Sequence, residues 1–239
     1  MSKKHIVFDI VGTVISYETF FAALEERIGS QLLSHNIPPR LFAWTWMEAA
    51  DLESHHSHTS GRPKLFKNIF APLLYRYLAM AGIPNPHTFI SSEDVEYIVS
   101  AYSSRLTARP GIVECFRRLR EAGFTIWALT SGDAERVKEY LGRNEIPLDE
   151  ENFIACEDIG KMKPAPEVYC YVRERLEDAE EMWFAACHMW DAAAAKHNGF
   201  KAAWCSEWEK LPVPEVFGEM DVVADSLEAL ADGIIEASR

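Results

Sequence analysis

His5-Ile6-Val7-Phe8-Asp9-Ile10-Val11-Gly12-Thr13-Val14 is the stretch that decides the fold. The run from His5 to Phe8 leads straight into a carboxylate at Asp9, and this reads as a buried strand that ends in an acid. Gly12 and Thr13 read as the turn that follows it. A lone aspartate at a strand end serves as a turn residue or helix cap as readily as a nucleophile. Its meaning depends on what the rest of the chain brings to the same edge.

Further along, Phe124–Leu129, Trp183–Cys187 and Lys201–Cys205 are apolar runs of strand length. The stretch from Gly111 to Ala122 instead spaces Ile112, Val113, Cys115, Phe116 and Leu119 at helical intervals, with Gly123 where a C-cap belongs. Strands alternating with helices in this way predict an α/β fold, a Rossmann-like parallel sheet flanked by helices. Ligands of such sheets bind beyond the carboxyl ends of the strands. Between about 16 and 105 the pattern is helical only and rich in aromatics, broken at Pro38-Pro39, Gly61-Arg62-Pro63 and Gly82-Ile83-Pro84. The expected organisation is a core domain of residues 1–15 and 106–239, interrupted by an all-helical cap of residues 16–105.

With 239 residues the chain has room for both parts, and 48% hydrophobic with 26% charged residues is ordinary for a soluble globular protein. No apolar run has the length to span a bilayer. Met1-Ser2-Lys3-Lys4-His5 passes at once into an apolar run too brief for a signal peptide, so a cytoplasmic location is the expectation. The formal net charge of -13 argues against a nucleic-acid surface, and a small anionic substrate would be held by a few local cations. Five widely spaced cysteines read as reduced core thiols, with no metal-binding pair. His55, His56 and His58 read as a solvated loop, since no Cys or acid at metal-ligand spacing accompanies them.

Three more segments carry chemistry. Leu129-Thr130-Ser131-Gly132 sets two hydroxyls after a strand, as anion holders, N-caps or both. Gly160-Lys161-Met162-Lys163-Pro164-Ala165-Pro166 puts a lysine just before a proline-tolerant helix start. Cys187-His188-Met189-Trp190-Asp191 follows an apolar strand and ends in an acid.

In this order, at these strand ends, the four segments resemble the four motifs of the haloacid dehalogenase superfamily, over the sheet domain on both sides of the insert. The resemblance implies Asp9 as nucleophile, Thr13 as its support, Thr130 and Ser131 as anion-binding hydroxyls, Lys163 as charge-neutralising cation and Asp191 as the final acid. Phosphatases of the superfamily carry a second aspartate two residues after the nucleophile, where this chain has Val11, and valine transfers no proton. Their fourth motif adds an acid for magnesium, where this chain reads Cys187-His188. The resemblance therefore narrows to the L-2-haloacid dehalogenases, which need neither metal nor cofactor and attack carbon. Lys163 followed by Tyr169 matches that branch's spacing, and Val11, Tyr169, His188 and Trp190 join the substrate site by the same likeness.

The likeness also has gaps. Characterised members bind the departing halide through an early cap arginine, and Ala43 stands at or near that place, with Arg40, Trp44, Trp46 or Arg62 as candidate replacements. Ala186 replaces a substrate-contacting serine. The expectation is metal-independent dehalogenation of short 2-haloalkanoic acids. The alternatives are a phosphatase with an unusual acid, another hydrolase of the superfamily, or a non-catalytic protein keeping the fold. Homodimers, common among related dehalogenases, are a further expectation carried by the resemblance.

Overall fold

A computed structural model describes residues 3–64 and 66–239. Met1 and Ser2, the start of the segment weighed as a signal peptide, lie outside the described residues. The chain divides into two compact units, Met1–Ser16 with Ala108–Arg239, and Tyr17–Thr107.

The first unit is built on β1 (Lys4–Asp9), β4 (Phe124–Thr130), β5 (Phe153–Ala155), β6 (Glu181–Ala186), β7 (Lys201–Cys205) and β8 (Val222–Ala224). They form one sheet in the order β5-β4-β1-β6-β7-β8, every pair parallel. β2 (Ile15–Ser16) and β3 (Thr107–Ala108) make a separate two-stranded pair. Helices α6 (Ile112–Glu121), α7 (Ala134–Arg143), α8 (Cys156–Ile159), α9 (Pro166–Arg175), α10 (Met189–His197), α11 (Pro214–Phe217) and α12 (Leu227–Ala237) supply the crossovers and cover.

The apolar run of β1 is continuous because both of its faces are covered, as parallel sheets require. Phe8 meets Phe116 of α6 with ring centroids 4.9 Å apart. Val7 belongs instead to the cluster of Val168, Tyr169 and Val172 from α9 and Phe184 from β6. Ile6, Val7 and Phe8 are all fully buried, and each contributes about 1.5–3 kcal/mol of transfer free energy.

Strand order reverses between β1 and β6, because the chain builds outward from β1 on one side and then crosses to the other. That crevice is where sheets of this kind bind ligands. Asp9 ends β1 and Cys187-His188 follow β6, so both tips open onto it. Within this sheet β5 and β8 were not expected, nor were the two-residue β2 and β3 outside it. β5 and β8 have three residues each, too short for a pattern of their own to stand out.

The second unit holds α1 (Glu18–Ser34), α2 (Pro39–Thr59), α3 (Phe66–Met80), α4 (Pro86–Phe89) and α5 (Ser92–Ser104). The predicted breaks at Gly61 to Pro63 and Gly82 to Pro84 fall between these helices, and Pro38-Pro39 forms the start of α2, with Pro39 its first residue. Its core is aromatic: Trp46 stacks on Phe70 at 4.0 Å and donates its indole N–H to the Phe70 carbonyl at 3.0 Å. His55, His56 and His58 are in the last turns of α2 rather than in a loop. There His58 Nδ1 lies 3.0 Å from the Ser54 carbonyl, and the ring of His55 lies 3.4 Å from Asp51. Among the described residues no helix is long and apolar enough to cross a membrane.

Candidate active site

The turn after β1 is closed by backbone bonds from Gly12 N to Ile15 O (2.7 Å) and from Ile15 N to Ile10 O (2.9 Å). Gly12 sits at φ 96, a conformation that excludes most side chains. The turn swings Thr13 back under Asp9, and the two side chains meet. Thr13 Oγ1 donates to Asp9 Oδ2 at 2.7 Å and accepts the Cys187 backbone N–H at 2.8 Å. One buried hydroxyl thus ties the tip of β1 to the tip of β6.

The two oxygens of Asp9 have different partners. Lys163 Nζ donates to Oδ1 at 2.8 Å, while His188 Nδ1 lies 3.1 Å from Oδ2. Lys163 also donates to Asp191 Oδ2 at 2.7 Å. Asp191 Oδ1 in turn accepts the Tyr169 hydroxyl at 2.5 Å. The chain Asp9–Lys163–Asp191–Tyr169 is almost wholly closed to solvent, with Lys163 1% and Asp191 0% exposed.

Burial works to raise the Asp9 carboxyl, but the charge of Lys163 and the bond and charge of His188 outweigh it. The result lies well below the usual carboxylate range. Burial likewise pulls Lys163 down, and the charges of Asp191 and Asp9 more than reverse this, so the lysine stays protonated. Burial pushes Asp191 up against the pull of Lys163. Burial and the charge of Asp191 also push the Tyr169 hydroxyl far up, so it remains a donor. For His188, burial favours the neutral ring, but the bond to Asp9 and the charges of Asp9, Glu209 and Asp191 raise its pKa.

The other expected residues fall in three places. Thr130 Oγ1 accepts the Gly132 N–H at 3.0 Å and so supports its own loop, while Ser131 Oγ accepts the Lys163 N–H at 3.3 Å and braces the loop that carries the lysine. Trp190 lies beside His188, ring centroids 5.7 Å apart, and Val11 bridges to Ile15 in the turn. Tyr169, expected among the substrate contacts, is fully buried behind Asp191. Arg40 and Trp44 belong to the helical unit. Arg40 is forked onto Glu18, its nitrogens 2.9 and 2.5 Å from the carboxylate, and lies over the Phe21 ring. Trp44 is 46% exposed.

Glu209 was not anticipated. Its Oε2 accepts the Met189 N–H at 2.7 Å and the Trp204 indole N–H at 3.1 Å. It therefore seats the first turn of α10, which follows His188 and carries Asp191. No motif marks this glutamate: Trp204 is five residues before it, but the Met189 N–H that it accepts belongs to another element, 20 residues away.

A hard divalent cation wants several oxygen ligands. Around Asp9 the side chains offer an ammonium, a hydroxyl and an imidazole, and both oxygens of Asp191 are already bonded. Magnesium does not fit this donor set. Among the described residues no group of three or more His, Cys, Asp or Glu side chains is placed to hold a metal ion.

An (S)-2-haloacid dehalogenase of Pseudomonas putida is 24% identical over 202 residues, covering 83% of this chain and 82% of that protein. The solved structure of an L-2-haloacid dehalogenase from Xanthobacter autotrophicus superposes with a TM-score of 0.72 at 19% identity, over 97% of this chain and 98% of that one. A HAD-hydrolase from Bacillus subtilis bound to magnesium superposes with a TM-score of 0.67 at 16% identity, over 99% and 100%. At such identities the superpositions establish the α/β fold. The haloacid dehalogenase-like hydrolase family model matches residues 3–199, so with Asp9 at the tip of β1 and Lys163 and Asp191 gathered against it, this chain belongs to the haloacid dehalogenase-like hydrolase family.

Proposed function

We propose that the protein hydrolyses the carbon–halogen bond of short 2-haloalkanoic acids, without a metal, through an ester on Asp9. The observation that carries this reading is how Asp9 is held. It is kept ionised by Lys163 and His188, and Val11 stands where phosphoester chemistry needs a proton donor. The P. putida relative, an (S)-2-haloacid dehalogenase, supports it over most of the chain.

In the first step an Asp9 carboxylate oxygen attacks C2, the new C–O bond forms as the C–halogen bond breaks, and halide leaves with the bonding pair. Halide needs no proton on departure, which is why Val11 is no handicap. Water then adds to Cγ of the ester, the Cγ–O bond to the substrate breaks, and the product leaves as a 2-hydroxy acid. Asp9 returns to its carboxylate, and one proton is released per turnover. Lys163 neutralises Asp9 before attack and Asp191 holds Lys163. Thr13 and His188 steady the oxygen to which they are bonded.

Halide release from L- and D-2-chloropropionate and from monohaloacetates, measured in EDTA with wild type and Asp9→Asn, tests the reading. Release that persists in EDTA and disappears in Asp9→Asn is the expected result. Magnesium-dependent phosphate release from phosphoesters, with no halide, would overturn it.

A further inference from the structure

A buried arginine stands behind the nucleophile turn, and the chemistry above does not use it. Arg109 follows β3 and is 6% exposed. Its Nε donates to the Thr13 carbonyl at 2.9 Å and its terminal nitrogen to the Gly12 carbonyl at 2.5 Å. Its backbone N–H donates to the Val14 carbonyl at 2.8 Å. One residue therefore satisfies three successive carbonyls of the turn that presents Thr13 to Asp9. The other guanidinium nitrogen lies 3.2 Å from Glu207, whose side chain is 23% exposed.

A buried guanidinium needs partners for its donors, and a buried turn needs partners for its carbonyls. Here each meets the other's need. The fixed planar fork sets the spacing of the Gly12 and Thr13 carbonyls, which lysine, with one charged nitrogen, cannot do. The peptide planes so held decide where Thr13 Oγ1 points, and that hydroxyl joins Asp9 Oδ2 to the Cys187 N–H.

We infer that Arg109, anchored by Glu207, is a positioning residue of the hydrolase: its grip on the Gly12 and Thr13 carbonyls aims Thr13 and fixes the attack geometry of Asp9. Its effect on halide release rests on the dehalogenase reading; its effect on the turn does not. Loss of the fork lets Asp9 and Thr13 drift by a fraction of an ångström to an ångström, a displacement that costs about 100-fold in a displacement reaction. The loss belongs in kcat, since Arg109 is buried behind the turn and has no route to substrate.

Two measurements on the full-length protein test this. Hydrogen exchange by mass spectrometry needs no substrate: Arg109→Met and Arg109→Lys raise exchange in the peptide spanning residues 9–16 while β4 and β6 stay protected. Halide release then falls about 100-fold in kcat with KM nearly unchanged in both variants, and added guanidinium partly restores Arg109→Ala. Unchanged exchange over residues 9–16, or a loss carried by KM, overturns the positioning role. A wild type that releases no halide overturns the dehalogenase reading, while the exchange measurement still decides whether Arg109 holds the turn.

Discussion

The ionic network at the strand tips and the Arg40–Glu18 pair of the helical unit obey opposite rules. At the tips, Asp9, Thr13, Lys163 and Asp191 are buried and each bonds to at least one of the others. In the helical unit, Arg40 and Glu18 pair while more than half exposed, and Trp44 is 46% exposed. Burial makes an interaction strong and its loss costly, whereas water weakens both. The contrast teaches where polar interactions are held most firmly: in the dry network at the strand tips, not in the exposed charges of the helical unit.

The largest effect should come from Lys163→Met, which leaves Asp9 and Asp191 facing each other without their shared cation. The expected cost is about 3–5 kcal/mol of stability, with halide release abolished. Urea denaturation checks this, and a loss below about 1 kcal/mol would break the contrast at its strongest point. Tyr169→Phe comes next. It removes a donor to a buried acid, for an expected loss of about 1.5–3 kcal/mol, read by the same denaturation curves, and it frees one oxygen of Asp191.

The pH dependence of stability sharpens the comparison from another side. Asp9 is depressed, so its contribution is complete above its ordinary value of 3.8 and fades only as pH falls through the lower folded value. His188 is raised, so its contribution is complete below its ordinary value of 6.5 and is lost as pH rises through the higher folded value. Melting temperatures from about pH 5 to about pH 9 should decline on the alkaline side in wild type. In His188→Asn that decline should be absent. A wild-type profile identical to the variant's would remove the Asp9–His188 pair from the network.

Arg40→Ala should have the smallest effect. An exposed pair contributes about 0–1 kcal/mol, and an arginine already forked onto Glu18 has little left to offer a substrate. Halide release within about twofold of wild type is expected. A tenfold rise in KM would instead place Arg40 in the substrate site and bring the helical unit into the chemistry.

Much of this was legible in the residues themselves. The strand before Asp9, the helix from Ile112 and the punctuated helices of the insert follow from local periodicity and from proline and glycine breaks. The short edge strands β5 and β8 were not, since three residues carry no period. The histidines at the end of α2 looked like a loop because their polarity hid a helix, one in which even Ser54 is buried. Of the site, Asp9, Thr13, Lys163 and Asp191 could be named from motif order. Tyr169 could be named but not placed, and neither Glu209 nor Arg109 stands out from its neighbours in sequence.

By itself, then, the sequence determined the alternation of strand and helix, the acid at the end of β1 and the absence of a proton donor at position 11. These are local properties, written in hydrophobic spacing and residue type. Only the tertiary structure decided which oxygen of Asp9 receives Lys163 and which receives Thr13 and His188, and that Tyr169 serves Asp191 from beneath. Lys163 lies 154 residues from Asp9, and His188 lies 179 residues away. Such partners meet because parallel pairing brings the carboxyl ends of distant strands to one edge, and periodicity along a chain holds no record of what lies across it.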